Sequence, residues 1–154
     1  DSERLAVYGW SYGGMLTNHV ITKTNRFAAA ITGASATLYV SNYGHDQYQR
    51  WWEEELGFPW LAENKEAWDN ISPFYALEQV TTPTLVVGGE EDWNVPIINS
   101  EQLYIVLKRR DIPARLVVYP NEYHSLSVPS YEKHLYQQYF EWLDTYVTER
   151  SNEH

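Results

Sequence analysis

The 154 residues fit one domain, and with 44% hydrophobic residues, 7 Trp and 13 Tyr they exclude a disordered tail and allow a sizeable core. A formal net charge of −10, from 11 Lys and Arg against 21 Asp and Glu, excludes nucleic acid and anionic membrane surfaces as expected partners, because both would be repelled. With no cysteine, disulfides, thiolate catalysis and cysteine-held metals are excluded as well. No secretory leader or bilayer-length apolar run is evident, and the expected compartment is cytoplasmic. A strand begins almost at once after Asp1 and Ser2. That abrupt start leads us to expect residues 1–154 to be a single, truncated domain, a piece of something larger.

In chain order, Leu5 to Gly9 reads as a short buried strand and Ser11 to Thr22 as a helix, with a glycine-rich turn between them. Phe27 to Thr32 is a second apolar run, closed by Gly33. Residues 35 to 60 are irregular and aromatic, with a short helix predicted over Gln47 to Leu56. Another helical turn covers Asn64 to Trp68 and ends at Ser72-Pro73. Pro83 to Gly89 is a continuous β-branched run suited to a strand buried on both faces. Pro96 to Arg110 follows as a helix with Leu103, Val106 and Leu107 on one side, then Ala114 to Tyr119 as a fourth strand. The last helix, Ser130 to Thr148, carries Leu135, Tyr139, Trp142, Leu143 and Tyr146 at helical spacing. Alternating strands and helices predict an α/β fold, a mostly parallel sheet with helices on both faces. No repeat or internal linker interrupts it.

Gly9-Trp10-Ser11-Tyr12-Gly13-Gly14 fits G-x-S-x-G and lies directly between strand and helix. In that place the motif makes a sharp, strained turn with the serine oxygen exposed, the nucleophile elbow of α/β-hydrolases. Gly9 and Gly13 lack a Cβ, which lets strand and helix pack closely. The helix N-terminus offers free N–H groups to a developing oxyanion, the Tyr12 amide first.

A serine hydroxyl needs a base, and the base an orienting carboxylate, here expected in the order Ser, acid, His at strand C-termini. Glu90, Glu91 and Asp92 follow the third strand, and His124 follows the fourth. Charge alone does not separate the three acids. His19 sits about two turns into the first helix, pointing away from the mouth. His134 is expected on a solvated helix face, His154 is terminal, and no strand end presents His45. A metal reading of the acids with His124 lacks a second histidine at suitable spacing, so neither metal nor cofactor is expected. A nucleotide-binding α/β fold is disfavoured because no G-x-G-x-x-G follows a strand.

Taken together, these segments resemble the C-terminal catalytic domain of the prolyl oligopeptidase family, most closely its acylaminoacyl-peptidase-like members. The resemblance runs through Gly9 to Gly14, Arg26-Phe27-Ala28-Ala29-Ala30, Asn70-Ile71-Ser72-Pro73, Thr82-Pro83-Thr84-Leu85, Gly88 to Pro96 and Tyr119 to His124. It implies the C-terminal part of an α/β-hydrolase fold and a serine hydrolase acting on peptides through an acyl-enzyme. A carboxylesterase on short-chain acyl esters is the alternative, and a catalytically weak binding or assembly fragment is a third. Ser11 would be the nucleophile, Asp92 the acid, two residues before Asn94, and His124 the base. Val95 would lie near the acyl-side pocket, and Tyr39 and Tyr43 fall in a stretch resembling its wall. Family members carry a propeller and several hydrolase strands before the elbow, and an early loop supplies the second oxyanion donor. Nothing here precedes Leu5 that could do so, and the first strand would be left as an apolar edge. A homo-oligomer, or a missing N-terminal half, is therefore the expected partner beside a peptide or ester substrate.

Overall fold

A computed structural model describes Ser2 and residues 4–148; Asp1 and His154 lie outside the described residues. Four strands, β1 (Ala6–Trp10), β2 (Ala29–Gly33), β3 (Thr84–Gly89) and β4 (Ala114–Tyr119), form one sheet in the order β1-β2-β3-β4. Every pairing is parallel, with Ala6 opposite Ala29, Ala30 opposite Thr84, and Thr84 opposite Ala114. The helices are α1 (Tyr12–Ile21), α2 (Gln49–Leu56), α3 (Lys65–Asn70), α4 (Ile98–Arg109) and α5 (Pro129–Leu143). Among the described residues, none is long and apolar enough to cross a membrane.

The two central strands are buried at every residue, as their unbroken apolar runs require. Their side chains alternate between two cores. Ala30 and Val86 meet Ile21 of α1 and Leu103 and Leu107 of α4 on one face. Ala29, Ile31, Leu85 and Val87 meet Trp142, with Leu135, Tyr139, Leu143 and Tyr146 of α5 packed around them, on the other. Each fully buried Leu, Ile or Val stabilises the sheet by roughly 1.5–3 kcal/mol. A third core of Ala36, Tyr39, Trp52 and Trp68 lies under the long β2–β3 connection.

Several predicted boundaries shift. The first helix starts after Ser11, because Ser11 itself adopts φ 57° and ψ −122° and serves as its cap. Pro96 precedes α4 by two residues, its carbonyl accepting from the Asn99 amide at 3.0 Å. α5 begins on Pro129 and ends at Leu143, and Asp144–Thr148 continues as a π-helical turn. A 3-10 run over Pro73–Gln79 was not anticipated. Arg110 secures its end, donating through Nη1 to the carbonyls of Leu77 at 2.7 Å and Val80 at 2.6 Å.

The glycine expectation needs correction. A Cβ on Gly9 would stand 2.1 Å from the Gly13 carbonyl oxygen, and one on Gly14 would stand 2.7 Å from the Gly33 oxygen. A Cβ on Gly13 meets nothing within 4 Å. The close approach therefore uses Gly13's backbone, which needs no missing side chain of its own. Gly9→Ala is expected to destabilise the chain by about 3 kcal/mol, the upper range for overpacking, whereas Gly13→Ala leaves the urea midpoint unchanged or raised. Equal midpoints for the two variants would contradict this packing.

Candidate active site

Three strand ends converge at one edge of the sheet. β1 delivers Ser11, β3 leads to Asp92, and β4 leads to His124. The loops after β3 and β4 are tied back to back, with the Glu90 amide donating to Tyr119 O at 3.0 Å and the Glu91 amide to Glu122 O at 2.9 Å. Ser11 lies between β1 and α1, its amide donating to Gly33 O at 2.9 Å and its carbonyl accepting from the Met15 amide at 2.9 Å. Its positive φ is unusual for a residue with a Cβ, and such strain persists only where the surroundings enforce it.

The side chains form an unbroken line. His124 Nε2 lies 2.7 Å from Ser11 Oγ, and His124 Nδ1 lies 2.8 Å from Asp92 Oδ2. The Asp92 side chain is 1% exposed and that of His124 23%. Oδ1 of Asp92 accepts the amides of Asn94 at 2.8 Å and Val95 at 2.9 Å, which leaves Oδ2 for the imidazole. A neutral imidazole satisfies both contacts with the proton on Nδ1 and the Nε2 lone pair on the serine hydroxyl. Such a relay can take a proton from the hydroxyl and return it elsewhere. The three candidate acids are now distinguished by position. Glu90 and Glu91 are exposed, Glu90 accepting from the Asn121 amide at 3.2 Å, and only Asp92 reaches the ring. Among the described residues no three His, Asp or Glu side chains group as metal ligands.

Tyr12 opens α1, and its amide is a first-turn donor with no intrahelical partner. Ser11 and His124 both line a cavity of about 800 Å³. Tyr12, Met15, Leu16 and His19 line it from α1, at spacings of three and four residues that place them on one helix face. Trp51, Trp52, Glu55 and Leu56 face them from α2, while Tyr39 and Val95 complete the wall. Burial pushes the Tyr39 phenol up to about 12, with neighbouring Tyr12 adding to the effect.

Tyr43 does not line this cavity. Its hydroxyl donates to Glu53 Oε1 at 2.6 Å and its ring packs edge-on against Trp60 and Trp68, behind the wall. His19 also departs from expectation, because it lies on the cavity face of α1. His45 is exposed beside Trp93, and His134 is exposed with Nδ1 3.1 Å from the Tyr119 hydroxyl. The sequence reading also missed Trp10, whose indole Nε1 donates to the His124 carbonyl at 2.8 Å across 114 positions. Its place beside Ser11 in the turn was the available signal.

Half-buried His19 has a lowered pKa because burial disfavours its charged form; the Ile71 backbone hydrogen bond opposes this and Lys23 adds to it. The unfolded imidazole, near 6.5, then binds protons more tightly than the folded one. Its contribution to stability is full above 6.5 and is lost as pH falls through the folded value. His19→Gln is therefore expected to flatten the fall in Tm on acidification below that point, followed by circular dichroism. An unchanged slope would contradict the assignment.

A parallel sheet, a strained serine turn and acid and histidine loops at successive strand ends define an α/β-hydrolase fold. The chain belongs to the prolyl oligopeptidase family, whose sequence profile matches residues 1–150. It is 38% identical over 128 residues to "Uncharacterized peptidase YuxL" of Bacillus subtilis, covering 82% of this chain and 19% of that protein. To the acylamino-acid-releasing enzyme of Rattus norvegicus it is 31% identical over 154 residues, covering 96% and 21%. Its fold matches Pyrococcus horikoshii acylaminoacyl peptidase with a TM-score of 0.85 at 23% identity, over 96% of this chain and 25% of that one. An acylaminoacyl peptidase in complex with Z-Gly-Gly-Phe-chloromethyl ketone matches with a TM-score of 0.78 at 26% identity, over 92% and 24%. The chain spans about a fifth of the length of the curated relatives it matches.

Proposed function

We propose that the chain carries the catalytic centre of a serine peptidase of the oligopeptidase or acylaminoacyl-peptidase kind, with Ser11 as nucleophile, His124 as general base and acid, and Asp92 as orienting carboxylate. The observation that carries this reading is the continuous Ser11–His124–Asp92 hydrogen-bond line at 2.7 and 2.8 Å. Ser11 Oγ forms a bond to the scissile carbonyl carbon while its proton passes to His124 Nε2. The Tyr12 amide stabilises the resulting oxyanion, and a second donor is supplied by a segment outside these 154 residues. Collapse breaks the bond to the leaving amine or alkoxide, which takes the proton from His124. Water then loses a proton to His124 and attacks the acyl-enzyme, and release of the acid restores the Ser11 hydroxyl.

The cavity beside Ser11, walled by Tyr39, Val95 and the α1 and α2 stripes, receives the acyl side of the substrate. Short-chain ester hydrolysis is the second reading. Among the described residues the Tyr12 amide is the donor next to Ser11, and an ester, with its better leaving group, needs less transition-state help than a peptide. Turnover of a p-nitrophenyl ester and of an N-acetyl peptide, each lost in Ser11→Ala, tests both readings together. Ester turnover alone selects the second, and turnover of neither contradicts the proposal. β1 is an edge strand among the described residues, with Tyr8 71% exposed. It is proposed to pair with another strand, from a second copy or a longer chain; a monomer in solution scattering with β1 amides exchanging freely would refute this.

A further inference from the structure

Glu122 is 2% exposed, as buried as Asp92 at 3%, and the mechanism above does not use it. It sits two residues before His124 at the start of the β4 loop. Its main chain is fixed on both sides, the amide donating to Tyr119 O at 3.3 Å and the carbonyl accepting from the Glu91 amide at 2.9 Å. From that anchor its carboxylate reaches five residues forward. Oε2 accepts the Ser127 amide, and Oε1 accepts the Ser127 hydroxyl at 3.1 Å. The side chain thus closes the segment from 122 to 127 into a ring of chain with His124 inside it.

That segment has little else to hold it. Tyr123 is 58% exposed, and Ser125 and Ser127 are exposed as well. Its apolar anchor is Leu126, half-buried against the α5 face of the sheet. Among the described residues, hydrogen bonds hold His124 at its carbonyl, through Trp10, and at its ring, through Asp92 and Ser11. Burying a carboxylate costs stability unless its oxygens are satisfied, and here both are satisfied by one residue on the far side of the histidine.

We propose that Glu122 is the positioning residue of the general base: its carboxylate tethers Ser127 and so holds the His124 imidazole in line between Asp92 and Ser11. The proposal deepens the catalytic reading and rests on it for its effect on rate, while the geometry it describes is measurable without turnover. The tether requires acceptance of an amide hydrogen, which Gln also provides. The Gln amide group can donate to the Ser127 hydroxyl oxygen, so Glu122→Gln keeps both contacts. Ala keeps neither.

The test uses Glu122→Ala, Glu122→Gln and Ser127→Ala. Each is read by kcat and KM on a p-nitrophenyl ester, by the low-field proton resonance of His124 Nδ1–H, and by Tm. Misplacing a reacting group by about 1 Å typically costs on the order of a hundredfold in rate, the loss of kcat expected for Glu122→Ala at unchanged KM. Its low-field resonance is expected to broaden or vanish. Glu122→Gln should keep kcat within about threefold and retain the resonance, and Ser127→Ala should fall between the two. Unchanged kcat and resonance in Glu122→Ala would overturn the proposal. So would a Gln variant as impaired as Ala, which would assign the effect to charge. If Glu122→Ala does not fold, Ser127→Ala decides, because Ser127 is exposed and the substitution removes the hydroxyl contact to Glu122 while keeping the amide one; unchanged kcat and resonance there would likewise overturn the tether. A wild-type resonance lost in Ala and kept in Gln, without any ester turnover, would uphold the tether and sink the catalytic reading.

Discussion

Ser11→Ala and His124→Ala are each expected to lower kcat by about 10⁶-fold, and the double variant should be no worse than either alone. In the proposed mechanism serine and histidine act as one unit: without the imidazole the hydroxyl keeps its proton, and without the hydroxyl the imidazole has nothing to activate. The 2.7 Å contact between Ser11 Oγ and His124 Nε2 is the physical basis of that coupling. Steady-state kinetics on an ester substrate measures it. Losses that multiplied in the double variant would mean that the two residues act independently.

Asp92→Asn is expected to cost about 10⁴-fold in kcat while KM and Tm change little. Oδ1 of Asp92 is committed to the amides of Asn94 and Val95, so the Asn side-chain oxygen must take that place. Its NH₂ group then points at His124 Nδ1 as a donor, where the native carboxylate accepts. The imidazole responds by carrying its proton on Nε2, facing Ser11, in the tautomer that cannot serve as base. Glu90→Gln and Glu91→Gln supply the comparison. Both acids are exposed and away from the ring, so neither substitution is expected to change kcat. A loss in either matching that of Asp92→Asn would reassign the acid.

The parts of this fold legible in the sequence are those written in local pattern. The apolar runs of β2 and β3 carry their own burial, because a strand covered on both faces admits no polar alternation. The α5 stripe of Leu135, Tyr139, Trp142 and Leu143 likewise states which face meets the sheet. Order along the chain was enough to assemble Ser11, the acid loop and His124 at one sheet edge, while choosing Asp92 among three acids needed the family resemblance.

What was missed has no local period. The Pro73–Gln79 turn is short and 3-10, and its end is secured by Arg110 from another element. Trp10 reaches His124 across 114 positions, and Glu122 is buried while bonded to Ser127 and to the neighbouring acid loop. Tyr43 was placed in the pocket wall because it is aromatic and close in sequence to Tyr39, yet Glu53, Trp60 and Trp68 hold it behind that wall. His19 shows the opposite failure. Its spacing from Tyr12, Met15 and Leu16 already put it on their face, and distance along the helix was mistaken for direction.

The central claim is that Ser11 is a nucleophile activated by His124. Incubation with a fluorophosphonate probe, followed by intact mass measurement and peptide mapping, tests it without requiring a substrate. A single adduct on Ser11 is predicted, absent in Ser11→Ala and formed far more slowly in His124→Ala. A folded wild-type chain that forms no adduct, or forms it on Ser125 or Ser127 instead, would contradict the account.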